Sequence, residues 1–150
     1  MVTWSDFEAA APEMAAIGRR LVFRSDHGEA LLATVREGLA PRVHPIGIGV
    51  VEGRLLAFIT DSPKRRDLET DGRYALHNHV DTEVPEEFQV RGRAQRVGGT
   101  FRAVVVGAWY FAADEAYELF EFGIDSVLVG ARRSADEWPP RYQSWSAAEG

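Results

Sequence analysis

The sequence predicts a small, mainly β fold with helices at its ends and in one crossover, and two observations lead there. Short β-rich runs follow one another with little between them: Leu31 to Val35, Val43 to Val51, Arg54 to Thr60, Tyr74 to His79 and Phe88 to Val97. Such runs, separated by turns, predict an antiparallel sheet, and five to seven of them close most economically into a barrel that leaves few free edges. On either side the hydrophobic period lengthens to that of helices. With 150 residues, 45% of them apolar, the chain fits one domain spanning residues 1–150.

Each element has its own signal. Ser5-Asp6-Phe7-Glu8 has the spacing of a capping box, and Phe7, Ala11, Met14, Ile17 and Leu21 recur at helical steps. Pro12 restarts that helix, because proline is tolerated only in a first turn. Val51-Glu52-Gly53-Arg54 predicts a tight hairpin turn with Gly53 at positive φ, so paired residues should have numbers summing to about 105. This arithmetic puts Arg42 opposite Pro63, His44 near Asp61 and Pro45 near Thr60. Gly47 and Gly49 inside the first of these strands mark a place where something flat comes close to the backbone. The near-alternation of Phe88 to Val97 predicts a strand with one wet face, bent near Gly92.

After Gly98-Gly99 a helix is expected, with Phe101, Val104, Val105, Ala108 and Trp109 on one side. Asp114 reads as the N-cap of a second helix from Glu115 to Phe122, ended by Gly123, before a strand from Ser126 to Ala131. Trp138 to Trp145 reads as a last strand or as an arm laid on a partner.

Composition excludes several functions. Net charge is −6 with a pI near 5.2, which argues against nucleic acid or an anionic membrane as a partner. The absence of cysteine removes disulfides, thiol nucleophiles and thiolate metal sites. No apolar run approaches ~18 residues and no signal-peptide pattern opens the chain, so a cytoplasmic protein is expected. His77 and His79, two apart with Asp81 and Glu83 beyond, read as strand-edge histidines, and no metal is expected. No nucleophile elbow, dinucleotide fingerprint or P-loop is present.

One feature does carry chemistry. Lys64 is the only lysine, and it lies in Ser62-Pro63-Lys64-Arg65-Arg66 directly after an apolar run. A strand that delivers serine, lysine and arginine into a helix-opening turn gathers free backbone N–H groups, a hydroxyl and an ammonium, the donor set a phosphate needs. His44 faces this end of the hairpin and could act there as an acid or base or lie hydrogen-bonded under a ring.

Thr34-Val35-Arg36, Pro41-Arg42-Val43-His44-Pro45, Phe58-Ile59-Thr60, Ser62 to Leu68, Asp71 to His77 and Phe88 to Ala94, in this order, resemble the pyridoxamine 5'-phosphate oxidase-related flavin-binding split barrels. The resemblance runs from about residue 12 to 97. It implies an α+β fold: a six- to seven-stranded antiparallel split β-barrel with an N-terminal helix and a helical crossover. It also implies a homodimer with FMN, or in some branches the deazaflavin F420, between subunits, where Trp109 or Trp145 would be buried. Position by position, Arg42 matches a residue near the flavin phosphate. Val43, His44, Ile59 and Thr60 match strand residues beside the ring, and Ser62, Lys64 and Arg65 match the phosphate turn. Gln89 matches a residue that reaches the flavin of the partner subunit. The implied activity is that of an FMN-dependent oxidoreductase acting on a small-molecule substrate. The alternatives are an F420-dependent reductase or a non-catalytic flavin- or phosphometabolite-binding protein. Glu37 to Ala40 lacks the family's Asp-Gly turn, and Asp61 puts a carboxylate inside the anion site. Arg141 to Trp145 does not reproduce the substrate motif of true pyridoxamine-phosphate oxidases, which argues against that substrate.

Overall fold

A computed structural model of the chain describes residues 1–148. In chain order the elements are α1 (Trp4–Ala10), α2 (Pro12–Val22), β1 (Phe23–Arg24), β2 (His27–Thr34), β3 (Arg42–Val51), β4 (Arg54–Ile59), α3 (Pro63–Thr70), β5 (Arg73–His77), β6 (Glu87–Val97), α4 (Gly99–Ala108), β7 (Glu118–Ala131) and β8 (Arg141–Ser146). The strands pair in the order β2-β3-β4-β7-β6-β5, and β5 returns to β2, so six antiparallel strands close a barrel. β1 and β8 extend it at β2 and β7. No helix among the described residues is long and apolar enough to cross a membrane.

The β3–β4 turn is built as its sequence requires. Glu52 (φ 51°) and Gly53 (φ 71°) are both left-handed, as a two-residue primed turn demands. Val51 pairs with Arg54, Val50 with Leu55 and Gly49 with Leu56, which keeps the sum of 105. There the ladder stops. β3 continues to Arg42 alongside β2, while β4 leaves for β7 from Leu56 onward. The pairs expected farther along, Arg42 with Pro63 and His44 with Asp61, therefore do not form, and the hairpin splays open.

The barrel interior holds Leu32, Ile46, Ile48, Leu55, Leu76, Val90 and Phe122, all buried. α1 and α2 close one end, where Trp4 packs edge-on against Phe7 and Phe23. The capping box lies two residues earlier than Ser5-to-Glu8: Thr3 and Asp6 cap each other's backbone. Pro12 does open α2. α4 buries Val105 against a smaller cluster with Leu56, Phe58 and Leu119, while Val104 faces solvent. β6 bends between Arg91 and Gly92, where a side chain would strike the Gly123 carbonyl.

The segment Glu115 to Phe122 is a correction. Asp114 makes only a local turn, accepting from the Ala116 amide, and from Glu118 the chain is strand β7. Helix-forming residues are overruled here because Leu119 and Phe120 have a strand to pair with on either side, β4 and β6. Gly123 is no helix stop but an interior strand position close to the Met1 side chain. The tail forms β8 on β7, in this chain's own sheet.

Candidate functional site

The splayed end of the hairpin makes a slot. Between Arg42 and Ile48, β3 has no ladder with β4, so its backbone on that side has no strand partner. α3 closes the end of the gap. Ser62 is its N-cap, donating from its hydroxyl to the Thr60 carbonyl (2.9 Å) and accepting from the Arg65 amide (3.4 Å). Pro63 fills the first helical position, and Lys64 follows with its ammonium 3.5 Å from the Pro45 carbonyl on β3. Lys64 thus bridges the two arms where they have parted.

The arginines have other work. Arg42 forms a two-pronged ion pair with Asp67 at 2.9 Å on both arms. Asp67 is 5% exposed, and Thr34, fully buried, donates a third hydrogen bond to it at 2.7 Å. The Arg42 hydrogen bonds hold the Asp67 carboxyl below its usual range, against the opposing effect of burial. Arg65 braces the slot from outside, donating to the carbonyls of Ile59 (3.4 Å) and Ala116 (3.3 Å) and lying 3.5 Å from Glu69. Arg66 takes Asp61 at 2.9 Å, so the carboxylate expected to trouble the anion site is held by a neighbouring cation.

His44 sits half-buried at the mouth of the slot, its Nε2 3.3 Å from Thr34 Oγ1. Burial first, then the Lys64 charge, lower its pKa, with Asp67 opposing. Val43 points out of the barrel, 66% exposed, and Ile59 points into the core, so that of Ile59 only the backbone borders the slot. Thr60 is exposed at the slot's rim.

Gln89 is not brought to this turn. It lies on β6, opposite His77, which pairs with Leu31, which pairs with Pro45. Three strand spacings, roughly 14 Å, separate it from β3 along one outward-facing row. His77 has neighbours of its own: its Nδ1 donates to the Asn78 carbonyl at 2.7 Å, and its Nε2 lies 3.5 Å from Glu87.

What comes close to Gly47 and Gly49 is this chain's own Tyr110 and Trp109. A Cβ on Gly49 would lie 2.7 Å from the Trp109 ring, and one on Gly47 would strike the Tyr110 hydroxyl. Tyr110 stacks on His27 with centroids 4.3 Å apart, and Trp109 packs edge-on against Phe58. Trp145 packs against Phe7. Both tryptophans expected at a subunit seam thus have partners within the chain. Sequence reasoning missed Asp67 and Thr34. The one available signal was an aspartate beside Leu68 on a short helix, and its partner is 25 residues away.

No family model and no curated protein matches the chain. Solved structures do. A heme binding protein from Mycobacterium smegmatis superposes with a TM-score of 0.61 at 17% identity, covering 79% of this chain and 52% of its own. A candidate pyridoxamine 5'-phosphate oxidase from Listeria innocua gives 0.53 at 11% identity over 67% of this chain and 86% of its own. A FAD-binding protein from Mesorhizobium loti gives 0.51 at 18% identity over 66% and 82%. The chain spans about half the length of the mycobacterial protein. Its fold is the split barrel that pyridoxamine 5'-phosphate oxidase-like, heme-binding and flavin-binding proteins share.

Proposed function

We propose that the chain is an FMN-binding oxidoreductase that works as a homodimer on a small-molecule substrate. The observation that carries this reading is the slot between the parted arms of β3 and β4, closed at one end by Lys64 and the capped start of α3. A flat ring with hydrogen-bonding edges fits between two strand edges with free backbone groups, and a phosphate fits the ammonium and the N–H groups of the first turn. Lys64 and His44 are the residues that would meet the phosphate. Arg42 acts through Asp67, setting the walls of the slot. The likeness to a FAD-binding protein supports a flavin. When bound, the flavin supplies the hydride chemistry, so the protein needs only to hold, orient and shield it.

The second subunit is part of the proposal because Gln89 and the slot share one outward row but lie apart in a single chain. Pro45 and Leu31 on that row and Val43 and Ala75 on the next make this part of the outward face apolar, and a partner laid on it would cover Val43 and carry its own Gln89 toward the slot.

Titration with FMN and with riboflavin, which lacks the phosphate, tests the reading. Lys64→Ala should weaken FMN binding about ten- to a hundredfold and leave riboflavin nearly unchanged, because one charge-assisted hydrogen bond contributes about 1.5–3 kcal/mol. Equal losses for both ligands would make Lys64 a structural residue. A colourless protein that binds neither would overturn the flavin. Absorption near 420 nm in the purified protein would point to a deazaflavin instead, and sedimentation as a 16.7 kDa monomer would overturn the shared site.

A further inference from the structure

The slot contains an imidazole whose tautomer the structure dictates. Thr34 has one hydroxyl proton, and it goes to Asp67 Oδ2 at 2.7 Å, a buried and charged acceptor. The contact from Thr34 Oγ1 to His44 Nε2 at 3.3 Å is then a hydrogen bond only if Nε2 carries the proton and the hydroxyl oxygen accepts it. A neutral imidazole has one ring proton. Nδ1 is therefore a bare lone pair, on the ring edge away from the buried Thr34–Asp67 pair.

The charges at the start of α3 fall short of what a phosphate needs. Arg42 is paired with Asp67, Arg66 with Asp61, and Arg65 lies between Asp61 and Glu69. Four cations, Lys64 included, thus face three carboxylates. Of these four, Lys64 is the one without a carboxylate partner, and Arg36, farther off, is turned to the Ala40 carbonyl. One net positive charge would meet a phosphate monoester that carries nearly two negative charges above its second pKa of about 6.

We propose that His44 supplies the missing charge: a phosphate monoester that binds at the Lys64 turn does so with uptake of one proton from solvent onto His44 Nδ1, while Thr34 and Asp67 act as positioning residues that keep Nε2–H directed inward. This rests on the reading of the turn as the FMN phosphate site. The charged groups facing the ring are Lys64 and Asp67 from α3 and Arg42 from β3, and Arg36 acts on Asp67. Burial, Lys64 and Arg42 together keep the free ring neutral at neutral pH, and Asp67 only partly opposes them. A dianion beside the ring reverses this balance. Because the proton is a reactant, affinity rises as pH falls from about 8 toward 7, by roughly threefold or more. The gain ends near pH 6, where the phosphate itself takes a proton.

Calorimetry of FMN binding at pH 7.5 in two phosphate-free buffers of different ionisation enthalpy measures the proton directly. Wild type should take up a large fraction of a proton per FMN and none with riboflavin. His44→Gln should bind FMN without uptake, its affinity flat between pH 7 and 8. Binding without uptake, or uptake that survives in His44→Gln, overturns the coupling and leaves the flavin reading standing. If wild type binds no FMN, the flavin reading and the coupling fall together. Nitrogen-15 NMR of the ligand-free protein gives a second readout: His44 should be the Nε2–H tautomer, and Thr34→Val should populate Nδ1–H. A free ring already protonated at Nδ1 would overturn the proposal whatever the calorimetry shows.

Discussion

The two ends of the β3–β4 hairpin use the same means to opposite ends. At the turn end the strands are laddered, and the buried Glu121 of β7 accepts both arms of Arg54 at 2.6 Å while that guanidinium lies 3.7 Å over Phe101. At the open end another arginine grips another buried carboxylate, Arg42 on Asp67, but the strands have parted and a lysine and an imidazole border the gap. The first ion pair fastens strands to each other. The second fastens β3 to the helix that follows β4, where the two strands have parted. One pairing chemistry thus serves strand-to-strand cohesion at one end and strand-to-helix anchoring at the other, and the difference is made by what the partner carboxylate is attached to.

The comparison can be broken from its strong side. Glu121→Ala removes a buried partner and leaves Arg54, 29% exposed, to rehydrate, so a loss of about 3 kcal/mol in urea unfolding is expected. A loss under about 1 kcal/mol would mean that the turn end is held by the ladder alone. Next in size are the two glycines. Gly49→Ala would press on Trp109, which is wedged against Phe58, with the Asp26 carbonyl 3.3 Å away, and should cost about 2 kcal/mol. Gly47→Ala meets only the hydroxyl end of Tyr110, a 43% exposed ring that can yield by slipping on its His27 stack, and should cost less, about 1 kcal/mol or under. Equal melting temperatures for the two variants would erase the distinction between a packed end and a yielding one.

The smallest effect concerns acid. Asp67 has a depressed folded pKa, so its contribution to stability is fully present above its unfolded pKa of about 4 and is lost as pH falls through the lower folded value. Asp67→Asn should therefore show a shallower loss of stability below pH 4 than wild type in acid unfolding. Identical acid limbs would mean that the pair does not report on the folded state.

Much of the barrel could be read from local pattern. The hairpin register at residues 51–54, the bend at Gly92, the restart of the helix at Pro12 and the helix after Gly98 each depend on a few adjacent residues whose chemistry is complete in itself. The site was half legible. Ser62 and Lys64 announce a polar helix start after an apolar strand, and the structure puts them at the end of a slot. That Arg42 and Arg65 would be engaged elsewhere was not legible, since Asp67 and the Ala116 carbonyl come from distant parts of the chain.

The misreading of residues 115–122 shows the boundary best. Glu115, Ala116, Glu118 and Leu119 favour a helix by themselves, and nothing nearby contradicts them. What decides for a strand is pairing: the open edges of β4 and β6, together with Arg54 for Glu121 and Arg96 for Glu118. The sequence by itself determined the elements whose hydrogen bonds and caps close within a few residues. Only the tertiary structure decided where β3 and β4 part, which cations remain unpaired and which segment completes the barrel, because those outcomes depend on partners that become neighbours only once the chain has folded.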